Sequence, residues 1–165
     1  MVITFDFDDT LLQSRAVFDE DGDFDHKEYL PDPNPEVWPE LEAALERGDT
    51  VYIVTSRTPG SRNYDSPWEA VPGKTPTQEE DLKGWLREWR KTWPIISKIR
   101  DVRFTSGALK GETLAELGSQ RHYDDDTEEL AALPPGCEGV QAYPHPSWLR
   151  PVNESHLRSL IRSLL

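Results

Sequence analysis

Val2-Ile3-Thr4-Phe5-Asp6-Phe7-Asp8-Asp9-Thr10-Leu11 runs from a β-branched, aromatic segment straight into three carboxylates. The apolar half, Val2–Phe7, predicts a short buried strand. Side chains alternate along a strand, so Asp6 and Asp8 would point the same way if it continues. Two carboxylates held close repel, and one resists ionisation unless a cation is bound. That arrangement suits a division of labour. One carboxylate binds a metal and acts as nucleophile while the other moves a proton. The plainer alternative is that Asp8 and Asp9 cap a turn.

Working outward, apolar segments alternate with helical patterns. Residues 16–26 read as a hairpin around Glu20-Asp21-Gly22-Asp23, and 30–35 as a proline-punctuated loop. Asn34 and Pro35 open a helix that Gly48 closes. Thr50–Val54 is a second buried strand. The polar stretch 58–77 has no clear period, and loops of that length are usually functional or mobile. Thr77 caps a helix from Gln78 to about Trp93, with Leu82, Trp85, Leu86 and Trp89 at helical spacing. Further strands are expected over 101–105, 120–124 and 139–143, with a short helix over 110–117. An amphipathic helix from Glu154 to Leu165 is expected to close one side of the sheet; a dimer contact there, with Trp148, is the alternative.

Alternating strands and helices predict a parallel α/β sheet of about five strands, helices on both faces, within a single domain. Ligands in such sheets bind beyond the carboxyl ends of the strands. The chemistry-bearing residues cluster there. Thr55, Ser56 and Arg57 follow the second strand, where a hydroxyl and backbone N–H groups can hold phosphate oxygens. Lys110 opens a helix after the third and could reach over the strand ends as a point charge. Asp124, Asp125 and Asp126 end the fourth, an oxygen-ligand set suited to Mg²⁺. Alone, each also reads as a helix cap, a turn or a solvated side chain. All four sit at the ends of successive strands.

Composition narrows the classes. The chain has 165 residues, 31 Asp and Glu against 18 Lys and Arg, and a formal net charge of -13. Such a polyanion does not coat nucleic acid over its whole surface, though a metal can invert the charge of a local site. No apolar run approaches a membrane span, and MVITFDFDDT has no basic leader region, so the cytoplasm is the expected compartment. The single cysteine, Cys137, provides neither an internal disulfide nor a cysteine zinc site. The acidic tip from Asp19 does not fit a calcium loop, because its sixth and twelfth positions are Phe24 and Leu30. Residues 83–103 form one basic segment, with Lys83, Arg87, Arg90, Lys91, Lys98, Arg100 and Arg103 against Glu88 and Asp101. Trp85, Trp89 and Trp93 are interleaved. This is either a tryptophan core face with a solvated basic face, or a strip for a nucleic-acid backbone.

The sequence resembles the haloacid dehalogenase superfamily of phosphatases and phosphotransferases. The resemblance covers roughly residues 1–145. Phe5 to Leu12 matches the first motif, Val51–Thr55 the second, Lys110 the third, and His122 to Asp126 the fourth. Asp9 stands where many members have glycine. The resemblance implies Asp6 as nucleophile and Asp8 as general acid and base. It implies Mg²⁺ on the Asp6 side chain, the Asp8 backbone carbonyl and Asp125. Thr55 and Lys110 would bind phosphoryl oxygens, and Asp124 would orient Lys110 or a metal-bound water, the register of Asp124 and Asp125 being open. Asp9, Thr10, Ser56 and Arg57 would line the substrate side. Inserts are short: a hairpin flap at about 13–30 and no cap domain. An open site suits a nucleotide or a nucleic-acid 3′-phosphate end. A small metabolite, a phosphoprotein and a non-catalytic metal-dependent binding module are the alternatives, with the chain acting as a monomer or a dimer.

Overall fold

The computed structural model describes residues 1–69 and 71–146. The chain runs β1 (Val2–Phe5), β2 (Leu12–Phe18), β3 (Phe24–Pro33), α1 (Trp38–Glu46), β4 (Thr50–Thr55), α2 (Gln78–Thr92), β5 (Asp101–Phe104), α3 (Gly111–Leu117), β6 (Arg121–Asp124), α4 (Thr127–Ala131) and β7 (Glu138–Gln141). A 3-10 turn over Pro94–Lys98 joins α2 to β5. The main sheet has the order β5-β4-β1-β6-β7 with every pair parallel, while β2 and β3 form a separate antiparallel hairpin. The expected terminal helix and Trp148 lie outside the described residues. Among those described, no helix is long and apolar enough to cross a membrane.

Alternation along the central strands buries both faces of the sheet. Ile3 and Phe5 of β1 and Val51 and Ile53 of β4 join Trp38, Leu41, Leu82, Trp85 and Trp89 in the main core cluster. The intervening Thr4, Val54 and His122, with Leu114 of α3, are equally buried outside it. Two-sided burial is why the strands read as apolar runs rather than as alternating ones. Thr77 and Glu80 form a complete capping box that fixes the start of α2. Edge-to-face contacts of Trp38 with Trp89 and Trp93, at 5.3 and 5.2 Å, weld α1 to α2.

Three local expectations are corrected. β1 stops at Phe5, because the next residues turn: the N–H groups of Thr10, Leu11 and Leu12 all converge on the Phe7 carbonyl. Most of 30–35 is not loop but the end of β3, where Pro33 pairs with Leu12. A two-stranded ribbon is all edge, so its prolines leave no ladder bond unmade. The helix after Asn34 begins only at Trp38; the Asn34 side chain accepts the Glu36 N–H in a preceding turn.

Candidate active site

β1 lies between β4 and β6, where successive connections run to opposite sides. This switch point opens a crevice at the strand ends. A cleft of about 670 Å³ lies there, lined by Asp6, Asp8, Asp9, Ser56, Lys110 and the acidic run from Asp124 onward.

Asp6 is held from both sides. Lys110 Nζ donates to Oδ1 at 2.8 Å and the Thr10 hydroxyl to Oδ2 at 2.9 Å. Its N–H donates to the Tyr123 carbonyl of β6, which fixes the backbone. Burial raises its carboxyl to about 6 against the pull of Lys110. Lys110 is itself buried and also donates to Asp124 Oδ2 at 2.6 Å. Two carboxylates more than offset the burial of its ammonium and hold its pKa above the ordinary lysine value. Its backbone N–H is received by Glu129 of α4 at 2.9 Å. Gly111 permits this docking, because a Cβ there would meet the Ala132 carbonyl oxygen at 2.8 Å.

Asp124 and Asp125 differ in their partners. Asp124 is fully buried and accepts Lys110, His122 Nε2 at 2.8 Å and the Asp126 N–H at 3.0 Å. Burial alone would raise its pKa; the His122 bond and Lys110 instead hold it down at about 2. Thr4 Oγ1 lies 2.8 Å from the other ring nitrogen of His122, which fixes the ring. Asp125 is less buried and has no cation. Burial, and then Asp6 beside it, push its carboxyl up to about 9. Asp6, Asp124 and Asp125 each bring one carboxylate oxygen within 4.8 Å of the others, a spacing that could hold a metal ion. An all-oxygen set suits a hard cation such as Mg²⁺. Asp124 already accepts three hydrogen bonds, against two at Asp6 and one at Asp125, so Asp6 and Asp125 are the better donors.

Asp8 lines the same cleft but faces a different partner. Arg57 holds it with two parallel bonds, Nε to Oδ2 and Nη2 to Oδ1, both 2.8 Å. Burial would raise Asp8, but the guanidinium keeps it below the ordinary carboxylate range. Arg57 is anchored in turn by Asp81 and the Gln78 carbonyl at the start of α2, each at 2.8 Å. Expected at the substrate side, Arg57 is a buried clamp on Asp8. The strand does not continue to Asp8, so strand alternation does not set its direction; Asp6 and Asp8 line one cleft with different partners.

Asp9 adopts φ 59, which explains why this position suits glycine. An aspartate tolerates that backbone, and its side chain accepts the Ser14 hydroxyl at 2.6 Å. Thr55 is fully buried, its hydroxyl accepting the Arg57 N–H at 3.3 Å, while Ser56 is exposed to the cleft. His122, Asp81 and Glu129 were missed in the sequence. The spacing of His122 and Asp124 on one strand face was the available signal; nothing local distinguished the other two.

The basic segment lies elsewhere. Lys83, Arg87, Arg90 and Asp101 line a groove of about 370 Å³ that shares no residue with the cleft. Trp85 and Trp89 are 4% and 2% exposed, so they are core rings and offer no stacking surface.

Compared with known proteins, the chain matches no family model and no curated protein.

Proposed function

We propose that this protein is a Mg²⁺-dependent phosphomonoester hydrolase of the haloacid dehalogenase type, working through an aspartyl-phosphate on Asp6. The substrate is a nucleotide or a nucleic-acid 3′-phosphate end. The observation that carries the reading is the buried Lys110 bridge between Asp6 and Asp124, with Asp125 beside it and Asp8 across the same cleft. A structural ion pair needs neither the second pair of carboxylates nor an open cleft.

Asp6 and Asp125 would hold the cation, with Asp124 keeping Lys110 in place. When bound, Mg²⁺ supplies positive charge against the phosphoryl oxygens and relieves the repulsion within the acidic set. Thr10 and Lys110 fix both oxygens of Asp6, so its attack on phosphorus starts from one orientation. An Asp6 O–P bond forms as the ester P–O bond breaks. The departing oxygen takes a proton from Asp8. Water then attacks phosphorus and gives its proton back to Asp8, releasing phosphate and regenerating Asp6.

Asp8 must carry that proton although Arg57 favours its ionised form. A dianionic phosphate arriving beside it acts in the opposite direction, because like charge favours the neutral acid. Arg57 therefore suits the base half of the cycle, and the substrate's own charge promotes the acid half. Residues 56–65 and the β2–β3 hairpin border the site, and the small size of both inserts supports a capless form open to bulky substrates.

The test is phosphate release from a generic aryl phosphate, mononucleotides and end-phosphorylated oligonucleotides, with Mg²⁺ or with EDTA. Metal-dependent release that Asp6→Asn abolishes is expected. Release that survives that substitution would remove Asp6 from the chemistry.

A further inference from the structure

Asp8 belongs to two cavities. One is the acidic cleft holding Asp6 and Lys110. The other, of about 260 Å³, is lined by Asp8, by Lys27 and Tyr29 of the β2–β3 hairpin, and by residues of the 57–65 segment. If Asp8 protonates the departing oxygen, in-line attack by Asp6 puts that oxygen beside Asp8, where the second cavity also opens.

Its lining has a definite chemistry. Arg57 is already engaged by Asp8, Asp81 and Gln78. Two further cations, Lys27 and Arg62, line the pocket against one further acid, Asp65. Lys27 sits 5.7 Å from the centre of the Tyr29 ring, and its charge reaches both Asp8 and Asp9. Arg62 is exposed, uses one nitrogen on the Thr75 carbonyl at 2.9 Å, and lies within electrostatic reach of Glu80. Asn63 donates to the Tyr29 hydroxyl at 3.2 Å and so ties the loop to the hairpin. At the rim stands Tyr64, 83% exposed, the most exposed large hydrophobic side chain among the described residues. An exposed aromatic ring lining a polar pocket offers a face on which a base can stack.

We propose that this pocket is the leaving-group subsite and that it takes a nucleotide bearing a second phosphate. The base stacks on Tyr64, and the second phosphate lies between Lys27 and Arg62. The inference rests on the phosphatase reading and adds a substrate class to it. Paired cations beside a ring fit an anionic, aromatic leaving group. They give no advantage to a neutral sugar or an uncharged alcohol. They also work against the charge of the chain as a whole, which at -13 repels a more highly charged ester.

The experiment compares kcat/KM, with Mg²⁺, for thymidine 3′,5′-bisphosphate, thymidine 3′-phosphate, thymidine 5′-phosphate and base-free deoxyribose 3,5-bisphosphate. An aryl phosphate reports the chemistry separately. Thymidine bisphosphate is expected to exceed either monophosphate by about 10-fold, from one added charge-assisted contact. It is expected to exceed the base-free ester by a similar factor, about 10-fold, from stacking. Arg62→Ala and Lys27→Ala each reduce the first ratio, and Tyr64→Ala reduces the second. Aryl phosphate turnover with no preference for the bisphosphate overturns the subsite and leaves the phosphatase reading standing. If no ester is turned over, the phosphatase reading fails and the leaving-group assignment with it, and calorimetry decides whether the pocket is a nucleotide site. Thymidine 5′-phosphate bound by wild type and about 10-fold more weakly by Arg62→Ala upholds it; equal binding, or none, overturns it.

Discussion

Lys110 Nζ stands 2.8 Å from Asp6 Oδ1 while holding Asp124 at 2.6 Å, so a single buried ammonium separates carboxylates from neighbouring strands. Removing that charge leaves two buried anions facing each other. Lys110→Met should cost about 3–5 kcal/mol of stability and lower kcat by at least ~100-fold. Combining it with Asp124→Asn should restore much of the stability and none of the activity. Denaturant unfolding of the single and double variants checks the first part, and steady-state rates the second. Equal stability of the two variants would mean that the buried charges are not coupled as described.

The acidic set has a pH signature in the metal-free protein. Asp125 is raised to about 9 and Asp6 to about 6, both well above the ordinary carboxylate value of 3.8. A raised carboxyl contributes stability that is complete below the unfolded value and is lost as pH rises through the folded one. Thermal stability in EDTA should therefore fall as pH rises from about 4 to 9. Mg²⁺ should flatten that fall at its alkaline end, where both carboxylates are free to bind it. Asp125→Asn should be more stable than wild type in EDTA near neutral pH and gain less from Mg²⁺. Thermal unfolding with and without Mg²⁺ reads all three; a metal increment unchanged in Asp125→Asn would exclude that side chain as a ligand.

In the proposed reaction Arg57 acts through Asp8. Its planar fork makes two parallel bonds to Asp8 and reaches Asp81 as well, a set that a lysine cannot reproduce. Arg57→Lys should keep the fold, as judged by circular dichroism, and lower kcat by about 100-fold through misplacement of Asp8. The pH–rate profile should also change, with the limb that reports Asp8 moving upward as the guanidinium is lost. A fall in kcat with an unchanged profile would assign Arg57 a purely structural role.

How much of this was legible in the sequence follows from what each residue interacts with. The parallel sheet was legible because strands such as Val51–Val54 are buried on both faces and read as apolar runs between turn signals. The strand ends were legible for the same reason, and they place Asp6, Ser56, Lys110 and Asp124 around one crevice, while Thr55 is buried and does not line it. The direction of Asp8 was not, because it depends on a turn closed by three N–H groups on one carbonyl. Nor was the role of Arg57, whose partner Asp81 lies 24 positions away on another element. The division between Asp124 and Asp125 depends on His122, and so on the face of β6 each residue takes. Tyr64 gave no periodic signal within a loop; only its position beside Asp8's second cavity makes it informative.

The central claim is that Asp6 carries a phosphoryl group during turnover. The most direct measurement is rapid acid quench of the protein reacting with an aryl phosphate and Mg²⁺, followed by mass spectrometry of the peptide containing Asp6. The account predicts one added phosphoryl group on that peptide, absent in EDTA and absent in Asp6→Asn. Steady turnover with no label on Asp6, or label on another residue, would contradict it.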